Sequence, residues 1–368
     1  MQGYSNRSSK NLNKPRKNLF IGIAALIIFV GIFAMVHAAT KKSIKTVSGS
    51  AAEQDSKIFQ SQSDYQNSLA NADKIPAING VMTPSALVQR PFAVVIENLP
   101  AARPQSGLSQ ADIVYEALAE GGITRFLAVF QTQQVKSIGP IRSARTYFND
   151  WAQELGAIFA HVGGNSDALY YLKQGIPGLS DADQFVNGAY MTRIPPRLPP
   201  HNTYSSTDKL FAMAKHDKFS ATKTYSDYIF KDDAALAQPT ASKININFSL
   251  PAYTVKWLYD SKTNTYKRYN AGVATIDAGN NKSVNAKDLI VQRVRNWPVK
   301  SDTLYAISMG TREGGDADVY MDGGVIHGTW KLVDGRTKYF DQTGNEIALN
   351  RGQIWIEIVP PANTVTAQ

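Results

Sequence analysis

An uninterrupted run of 18 uncharged residues, Leu19–Val36, constrains this chain more than any other feature of its sequence. The run contains no proline and is long enough to cross the roughly 30 Å hydrocarbon core of a bilayer as one helix. Five basic residues precede it and three follow closely. The positive-inside rule therefore predicts a cytoplasmic basic tail over residues 1–18, a transmembrane helix over residues 19–38, and an extracytoplasmic remainder.

A cleaved signal peptide is the alternative, because Val36, His37 and Ala38 resemble a small-residue cleavage site behind a basic segment. The apolar run is longer than the core of a typical signal peptide, which favours the uncleaved anchor. Either alternative places the bulk of the chain outside the cytoplasm, at the cell envelope, with the membrane as a partner of the N-terminal helix.

The basic charge is concentrated near the N-terminus. The formal net charge is +9, and residues 1–75 hold 10 Lys and Arg against 4 Asp and Glu. The remaining residues are close to balance, so no nucleic-acid partner is expected. Residues 39–75 are polar and predict a linker. The absence of cysteine excludes disulfides, thiol nucleophiles and acylation of a cysteine.

Two different patterns follow the linker. Over residues 76–238, short apolar runs alternate with helical stretches, which predicts an α/β or α+β domain. The expected strands are Phe92–Ile96, Ile113–Leu118, Phe126–Phe130 and Ala157–His161. The expected helices are Ser143–Leu155, Ser166–Gln174 and Ser206–Lys215. Over residues 239–361, nine short runs ending with Ile354–Val359 alternate with Gly-rich and Asn-rich turns, which predicts a separate β-rich C-terminal domain followed by a tail over residues 362–368.

The familiar sequence signatures of nucleotide-binding loops, zinc proteases, EF-hands and serine-hydrolase elbows are missing, so the cofactor is unknown. One S-x-x-K motif occurs at Ser206–Lys209, and we interpret Ser206 as a helix cap. A polyproline-type motif at Arg193–Pro199 is interpreted as a structural loop. A metal site built on His161, His201 and a carboxylate lacks any supporting ligand spacing, and no metal is expected.

Arg142 and Arg145 lie three residues apart where a turn runs into a predicted helix. The N-terminus of a helix carries partial positive charge, so two arginines there destabilise the helix. A bound phosphate or carboxylate would reverse this unfavourable interaction. The alternative is that Asp112, Glu116 or Glu120 supplies the anion from within the fold. Arg125 follows the turn that contains Glu120, and the two side chains could pair with each other.

His161 ends a predicted strand, and Gly163, Gly164 and Asn165 follow before the next helix. Ligands gather at such strand ends, although a tight turn and a structural histidine explain the same pattern. Downstream, four prolines stiffen the segment that carries His201 and Asn202, which suits either a binding loop or a surface loop. His216 and His327 are interpreted as structural.

These residues define the candidate site. We assign catalytic roles to His161, His201 and Glu116, and ligand-binding roles to Arg125, Arg142, Arg145, Asn165 and Asn202. We further expect Arg142, Arg145, His161, Asn165 and His201 to converge on one pocket, because a helix start and a strand end can share an edge of a sheet.

Several longer segments resemble the YerB-like lipoprotein family. They are Ala102–Asp112, Glu120–Arg125, Ile138–Arg145 and Pro200–Tyr204, together with Gly328–Trp330 and Trp355–Pro360 near the C-terminus. The resemblance implies two consecutive domains and no established activity. Lipoproteins carry a cysteine for acylation, and this sequence has none, which favours a transmembrane anchor instead.

Three functions remain open. The first is a membrane-anchored envelope protein that binds an anionic ligand or envelope polymer at an Arg/His pocket. The second is an envelope enzyme acting on a phosphorylated or glycan substrate, with a histidine as general acid or base and arginines stabilising charge. The third is a structural scaffold, which separated rather than clustered residues would favour.

Overall fold

The computed structural model describes residues 73–368, which belong to one compact unit. The predicted basic tail, the transmembrane segment and nearly all of the linker lie outside the described residues. Between residues 73 and 368, none of the helices is both long and apolar enough to span a membrane.

Three α-helices occur in the described part of the chain: α1 (Thr146–Glu154), α2 (Ser166–Gln174) and α3 (Thr207–His216). The short 3-10 helices are Ser85–Leu87, Pro100–Ala102, Leu108–Gln110, Glu120–Gly122 and Pro251–Tyr253.

Short strands make up most of the remaining regular structure. Those before residue 240 are β1 (Lys74–Pro76), β2 (Met82–Pro84), β3 (Phe92–Glu97), β4 (Ile113–Leu118), β5 (Thr124–Phe130), β6 (Ile158–His161), β7 (Ser180–Asp183), β8 (Thr192–Arg193), β9 (Thr203–Tyr204) and β10 (Phe230–Lys231). Those after it are β11 (Lys243–Asn247), β12 (Thr254–Asp260), β13 (Thr265–Asn270), β14 (Val273–Ala274), β15 (Asn285–Ala286), β16 (Asp288–Arg293), β17 (Asn296–Pro298), β18 (Ile307–Met309), β19 (Gly315–Met321), β20 (Gly324–Val333), β21 (Arg336–Asp341), β22 (Leu349–Asn350), β23 (Ile354–Val359) and β24 (Val365–Ala367).

A mixed ten-stranded sheet forms the centre of the molecule, in the order β21-β20-β19-β16-β23-β4-β5-β3-β6-β7. Strands β16, β23 and β4 are parallel to one another, as are β3, β6 and β7. A second sheet has the order β14-β13-β12-β11-β24, with β15 beside β13.

The central sheet is covered on both faces. On one face, Trp151 of α1 stacks on Tyr115 of β4, with ring centroids 5.3 Å apart. On the other face, Trp257 of the second sheet packs edge-on against Trp355 of β23 at 5.2 Å. This three-layer arrangement explains why β3, β4, β5 and β23 are buried along their whole length and read as continuous apolar runs.

The predicted elements agree closely with the observed ones. Helix α2 and strands β4 and β23 have the expected ends, residue for residue. Helix α1 begins three residues later than expected, at Thr146. The delay has a physical reason: the Arg142 amide donates to Val95 O and the Ala144 amide to Gly163 O, so this stretch pairs as extended chain.

The two sequence regions share the central sheet. Strand β23, from the β-rich region, pairs in parallel with β4 from the first region. The domain boundary near residue 239 stays a prediction, because no gap in packing marks it. The predicted tail over residues 362–368 is not wholly irregular, since its residues form β24, which pairs antiparallel with β11.

Candidate functional site

The segment Ile138–Arg142 is inserted between the end of β3 and strand β9. Its Ile141 amide donates to Thr203 O at 2.7 Å, and its Pro140 carbonyl accepts from the Glu97 amide at 3.0 Å. Gly139 permits this close approach, since a Cβ there would lie 2.7 Å from Thr203 O, and its φ is +146°. The insertion brings residues far apart in sequence to the carboxyl end of β3.

Glu97, the last residue of β3, is the centre of this site, and its side chain is fully buried. His201 Nδ1 lies 2.8 Å from Glu97 Oε2. Arg142 Nε lies 3.1 Å from Glu97 Oε1, close enough for an ion pair although outside hydrogen-bond geometry. The side chains of Arg142 and His201 remain 20% and 25% exposed, so both can be reached from solvent.

Arg142 retains unused hydrogen-bond donors, and His201 retains a ring nitrogen without a hydrogen-bond partner. The Arg142 guanidinium makes no hydrogen bond to any group within residues 73–368, and neither does His201 Nε2. Arginine carries five N–H donors in a fork that matches phosphate and carboxylate oxygens. Within residues 73–368, the partly exposed Arg142 guanidinium therefore keeps donors for a ligand, and Glu97 contacts both Arg142 and His201.

Arg125 and Arg145 share the carboxylate of Glu120. Arg145 Nε donates to Glu120 Oε2 at 3.0 Å, and both arginines also contact Glu120 Oε1. The pKa of Arg125 is lowered to about 10, first by burial and second by the adjacent positive charge of Arg145, and Glu120 offsets this only in part. The anion supplied from within the fold thus pairs with both arginines without cancelling their combined charge. We call Arg125, Arg142 and Arg145, with Glu97, Glu120 and His201, the arginine cluster.

His161 faces other groups. Its ring is fully buried at the end of β6, with Nε2 2.7 Å from Asp181 Oδ1 and Nδ1 2.8 Å from Gly163 O. Both ring nitrogens are thereby engaged on the β6–β7 edge. Within residues 73–368, the His161 ring makes no hydrogen bond to the arginine cluster, although the adjoining Val162 amide donates to Arg142 O at 3.0 Å. The convergence expected for His161 on the same pocket stays a prediction.

Glu116 is committed to the core. It is fully buried and accepts hydrogen bonds from Arg268 Nη2 at 2.6 Å, Thr124 Oγ1 at 2.7 Å and Asn98 Nδ2 at 3.2 Å. A carboxylate with these partners and no solvent access is a structural ion pair. The structure therefore gives no support to the catalytic role expected of Glu116.

The two asparagines have separate roles. Asn202 ties the proline-rich loop together, because its Nδ2 donates to Arg197 O at 2.9 Å and its Oδ1 accepts from Arg193 Nη1 at 2.8 Å. Asn165 precedes α2 and lines a cleft between α1 and α2 that the arginine cluster does not line. Neither asparagine hydrogen-bonds to Arg142 or His201.

The interpretations of the minor motifs agree with the structure. Ser206 caps α3, since its Oγ accepts from the Lys209 amide at 3.2 Å. Arg197 of the polyproline-type motif donates to Ala102 O and Pro104 O, and so fastens its own loop.

Glu97 was missed at the sequence level, although a signal for it exists. It directly follows the apolar run Phe92–Ile96, so a carboxylate is delivered to the carboxyl end of a buried strand. The same reasoning selected His161. The local sequence pattern does not identify the partner of Glu97, because His201 lies 104 residues away in the chain.

Comparisons with known proteins place these observations in a family context. The family described as "Protein of unknown function (DUF3048) N-terminal domain" matches residues 78–220, and its C-terminal counterpart matches residues 244–356. The chain is 33% identical over 302 residues to "Putative lipoprotein YerB" of Bacillus subtilis (strain 168), covering 81% of this chain and 90% of that protein. It is also similar to the crystal structure of a YerB protein from Bacillus subtilis, with a TM-score of 0.72 and 32% identity, covering 80% of this chain and 99% of the other.

Proposed function

This chain belongs to the DUF3048 family of YerB-like proteins, and we propose that it is an extracytoplasmic cell-envelope protein that binds a phosphate- or carboxylate-bearing group at Arg142 and His201. One observation carries the proposal. The Arg142 guanidinium is partly exposed, and within residues 73–368 it has an ion-pair neighbour but no hydrogen bond. An anion seated there would take up donors that the fold leaves unused.

The surrounding charge supports an anionic ligand. Three arginines of the cluster are opposed by the two carboxylates Glu97 and Glu120, which leaves an excess of positive charge at a partly buried position. Coulombic attraction is stronger there than in water because the local dielectric constant is lower. A bound anion would supply a third negative charge and so balance the three arginines.

Calorimetric titration with inorganic phosphate, pyrophosphate and citrate tests the proposal. The wild-type chain is expected to bind at least one of these anions, and Arg142→Gln is expected to weaken that binding tenfold or more. Tenfold corresponds to about 1.4 kcal/mol, within the range of a charge-assisted hydrogen bond.

Arg351→Gln is the matched control. Arg351 also pairs with one carboxylate, Asp232, but precedes β23 and lies outside the arginine cluster. Its substitution should leave anion affinity unchanged. Equal weakening by Arg142→Gln and Arg351→Gln, or no binding of any of the three anions, would show that the cluster is only structural.

A second candidate function is catalysis by His201. Glu97 accepts at Nδ1, and this arrangement orients the ring so that Nε2 faces outward as a general acid or base. Hydrolysis of p-nitrophenyl phosphate that disappears in both His201→Gln and Glu97→Gln but persists in Arg351→Gln would establish an enzyme. Anion binding without turnover favours the binding protein.

The location outside the cytoplasm rests on the sequence and on the relative. The related protein's name describes a lipoprotein, whereas this sequence contains no cysteine to acylate. We therefore propose the predicted transmembrane helix, residues 19–38, as the membrane anchor and an envelope polymer as a partner. An alkaline phosphatase fused after Gln368 should be active; activity only of a cytoplasmic reporter would contradict this topology.

A further inference from the structure

A cleft of about 380 Å³ lies between α1, α2 and the hairpin formed by β17 and β18. Asn149 of α1, Asn165 before α2 and Tyr171 of α2 line one side, and Ile307 and Met309 of the hairpin line the other. No residue of the arginine cluster lines it. The cleft therefore offers a site of different chemistry.

Two buried amides in this cleft have unused acceptors. Asn149 and Asn165 are 2% and 4% exposed, and within residues 73–368 the Oδ1 atom of each lacks a hydrogen-bond partner. Asn149 Nδ2 donates to Ala168 O at 3.1 Å, which orients that amide. A buried polar atom without a partner costs about 1 to 3 kcal/mol. A molecule that supplies hydrogen-bond donors in this cleft would satisfy both oxygens.

The remaining lining selects the class of that molecule. Asp167 adds an acceptor near the start of α2, while Ile307 and Met309 are apolar and Tyr171 presents a ring that is 55% exposed. Hydroxyl groups donate to amide and carboxylate oxygens, and the C–H faces of a sugar ring pack on aromatic and apolar side chains. Small-molecule sites of this size are typically lined by apolar and aromatic side chains together with a few polar groups.

A metal ion fits this cleft less well. Asp150, its second carboxylate, is already engaged by Thr311 Oγ1 at 2.6 Å and by Arg312 at 3.5 Å. In the described part of the chain, no three His, Cys, Asp or Glu side chains are grouped to hold a metal. We propose that the cleft binds a neutral saccharide of one or two rings.

The hairpin wall of the cleft is fastened to α2. Asp302, in the loop between β17 and β18, accepts from the Ser166 amide at 3.1 Å and from Ser166 Oγ at 3.0 Å. The contact holds Ile307 and Met309 opposite Asn149 and so keeps the two walls of the saccharide site at a defined separation.

Calorimetric titration of the purified 368-residue chain with glucose, N-acetylglucosamine, cellobiose and chitobiose tests the proposal. Binding of at least one saccharide is expected, with a Kd of about 1 mM or tighter. Asn165→Leu removes an acceptor, and Tyr171→Ala removes the ring from an exposed position that does not threaten the fold. Each is expected to weaken binding tenfold or more.

Tyr170→Ala is the matched control, because Tyr170 adjoins Tyr171 and is 60% exposed but does not line the cleft. It should bind like wild type, and so should Arg142→Gln, since this site is separate from the anion site. Absence of binding across the panel, unchanged affinity in Tyr171→Ala, or equal loss in Tyr170→Ala would overturn the proposal. Loss of saccharide binding in Arg142→Gln would overturn the separation of the two sites.

Discussion

At the residue scale, the most unusual feature is a pair of glutamates buried side by side. Glu116 and Glu357 are register partners on β4 and β23, and Arg268 binds Glu116 while Trp257 Nε1 donates to Glu357 Oε1 at 2.7 Å. Burial raises the pKa of Glu357 well above its usual range, and the neighbouring Glu116 raises it further. One arginine facing two carboxyl groups favours a proton on Glu357.

We expect Glu357→Gln to reduce the pH dependence of stability, to which the buried carboxyls of Glu154 and Asp288, whose pKa values are also raised, contribute the remainder. Because the folded pKa of Glu357 is raised, the folded state binds more protons above the ordinary glutamate pKa of about 4.5. Wild-type stability should therefore fall as pH rises through the raised pKa, by at most about 1.4 kcal/mol per pH unit. Glutamine keeps the acceptor for Trp257 and supplies a donor for Glu116. Urea unfolding from pH 5 to 9 measures the difference.

The comparison with Glu357→Leu makes this test specific. Leucine removes the hydrogen bond from Trp257 and leaves the Trp257 N–H buried and unpaired, so it should destabilise the fold at every pH by about 1 to 3 kcal/mol. Identical pH dependence in wild type and Glu357→Gln would show that another group controls the titration.

At the element scale, the irregular segment Ile138–Arg142 positions the candidate anion site. It is neither helix nor part of a regular strand, yet its backbone bonds both to β3 and to Thr203 of β9. The side chain of Arg142, at the end of this segment, contacts Glu97 Oε1. His201, from the proline-rich loop, contacts Glu97 Oε2. A short inserted segment thus substitutes for a missing strand neighbour at the end of β3.

We expect Gly139→Ala to disrupt this segment. Its Cβ would lie 2.7 Å from Thr203 O and 2.9 Å from Tyr204 Cδ1, so backbone has to move. The expected loss of stability is about 2 to 4 kcal/mol. Anion affinity should also fall, because the same backbone carries Arg142. Chemical unfolding and phosphate titration measure the two effects.

Gly175→Ala separates crowding from backbone strain. Gly175 also has a positive φ, +83°, but nothing lies within 4 Å of its ideal Cβ. Gly175→Ala should therefore lower the free energy of unfolding by about 1 kcal/mol and leave anion binding intact. Equal costs at the two positions would mean that the Ile138–Arg142 segment is less tightly packed than the distances imply.

At the scale of the whole molecule, one sheet joins the two sequence regions. The pairing of β4 with β23 runs from Ile113 and Ile354 to Ala117 and Ile358, and both strands are buried throughout. The Arg268–Glu116 ion pair crosses the same junction with both side chains almost fully buried. Separating the regions would expose two apolar strand edges and an unpaired charge.

We therefore expect residues 239–368 expressed alone to lack cooperative unfolding, although the sequence pattern predicts a separate β-rich domain. The exposed edge of β23 should also promote aggregation. Circular dichroism with thermal unfolding, compared with residues 73–368 and with the two fragments mixed, measures this. A sharp unfolding transition of the isolated fragment would establish residues 239–361 as an independent domain.

Local patterns in the sequence determined much of this protein. Apolar periodicity and capping residues located α2, β4 and β23, because burial on one or both faces leaves a direct trace in residue order. The clustering of Arg142 and Arg145 near a helix start was also evident from sequence, since residues that close in the chain stay close in space. The same holds for Glu120 and Arg125, which pair across one turn.

Only the tertiary structure decided which of these residues meet. Glu97 binds His201 across 104 residues, and Arg268 binds Glu116 across 152. Such contacts depend on strand order in the sheets, and strand order reflects the global packing of apolar faces rather than any local signal. For the same reason His161 faces Asp181 rather than the arginines: the parallel neighbour β7 supplies its partner, and nothing near His161 in the sequence encodes that pairing.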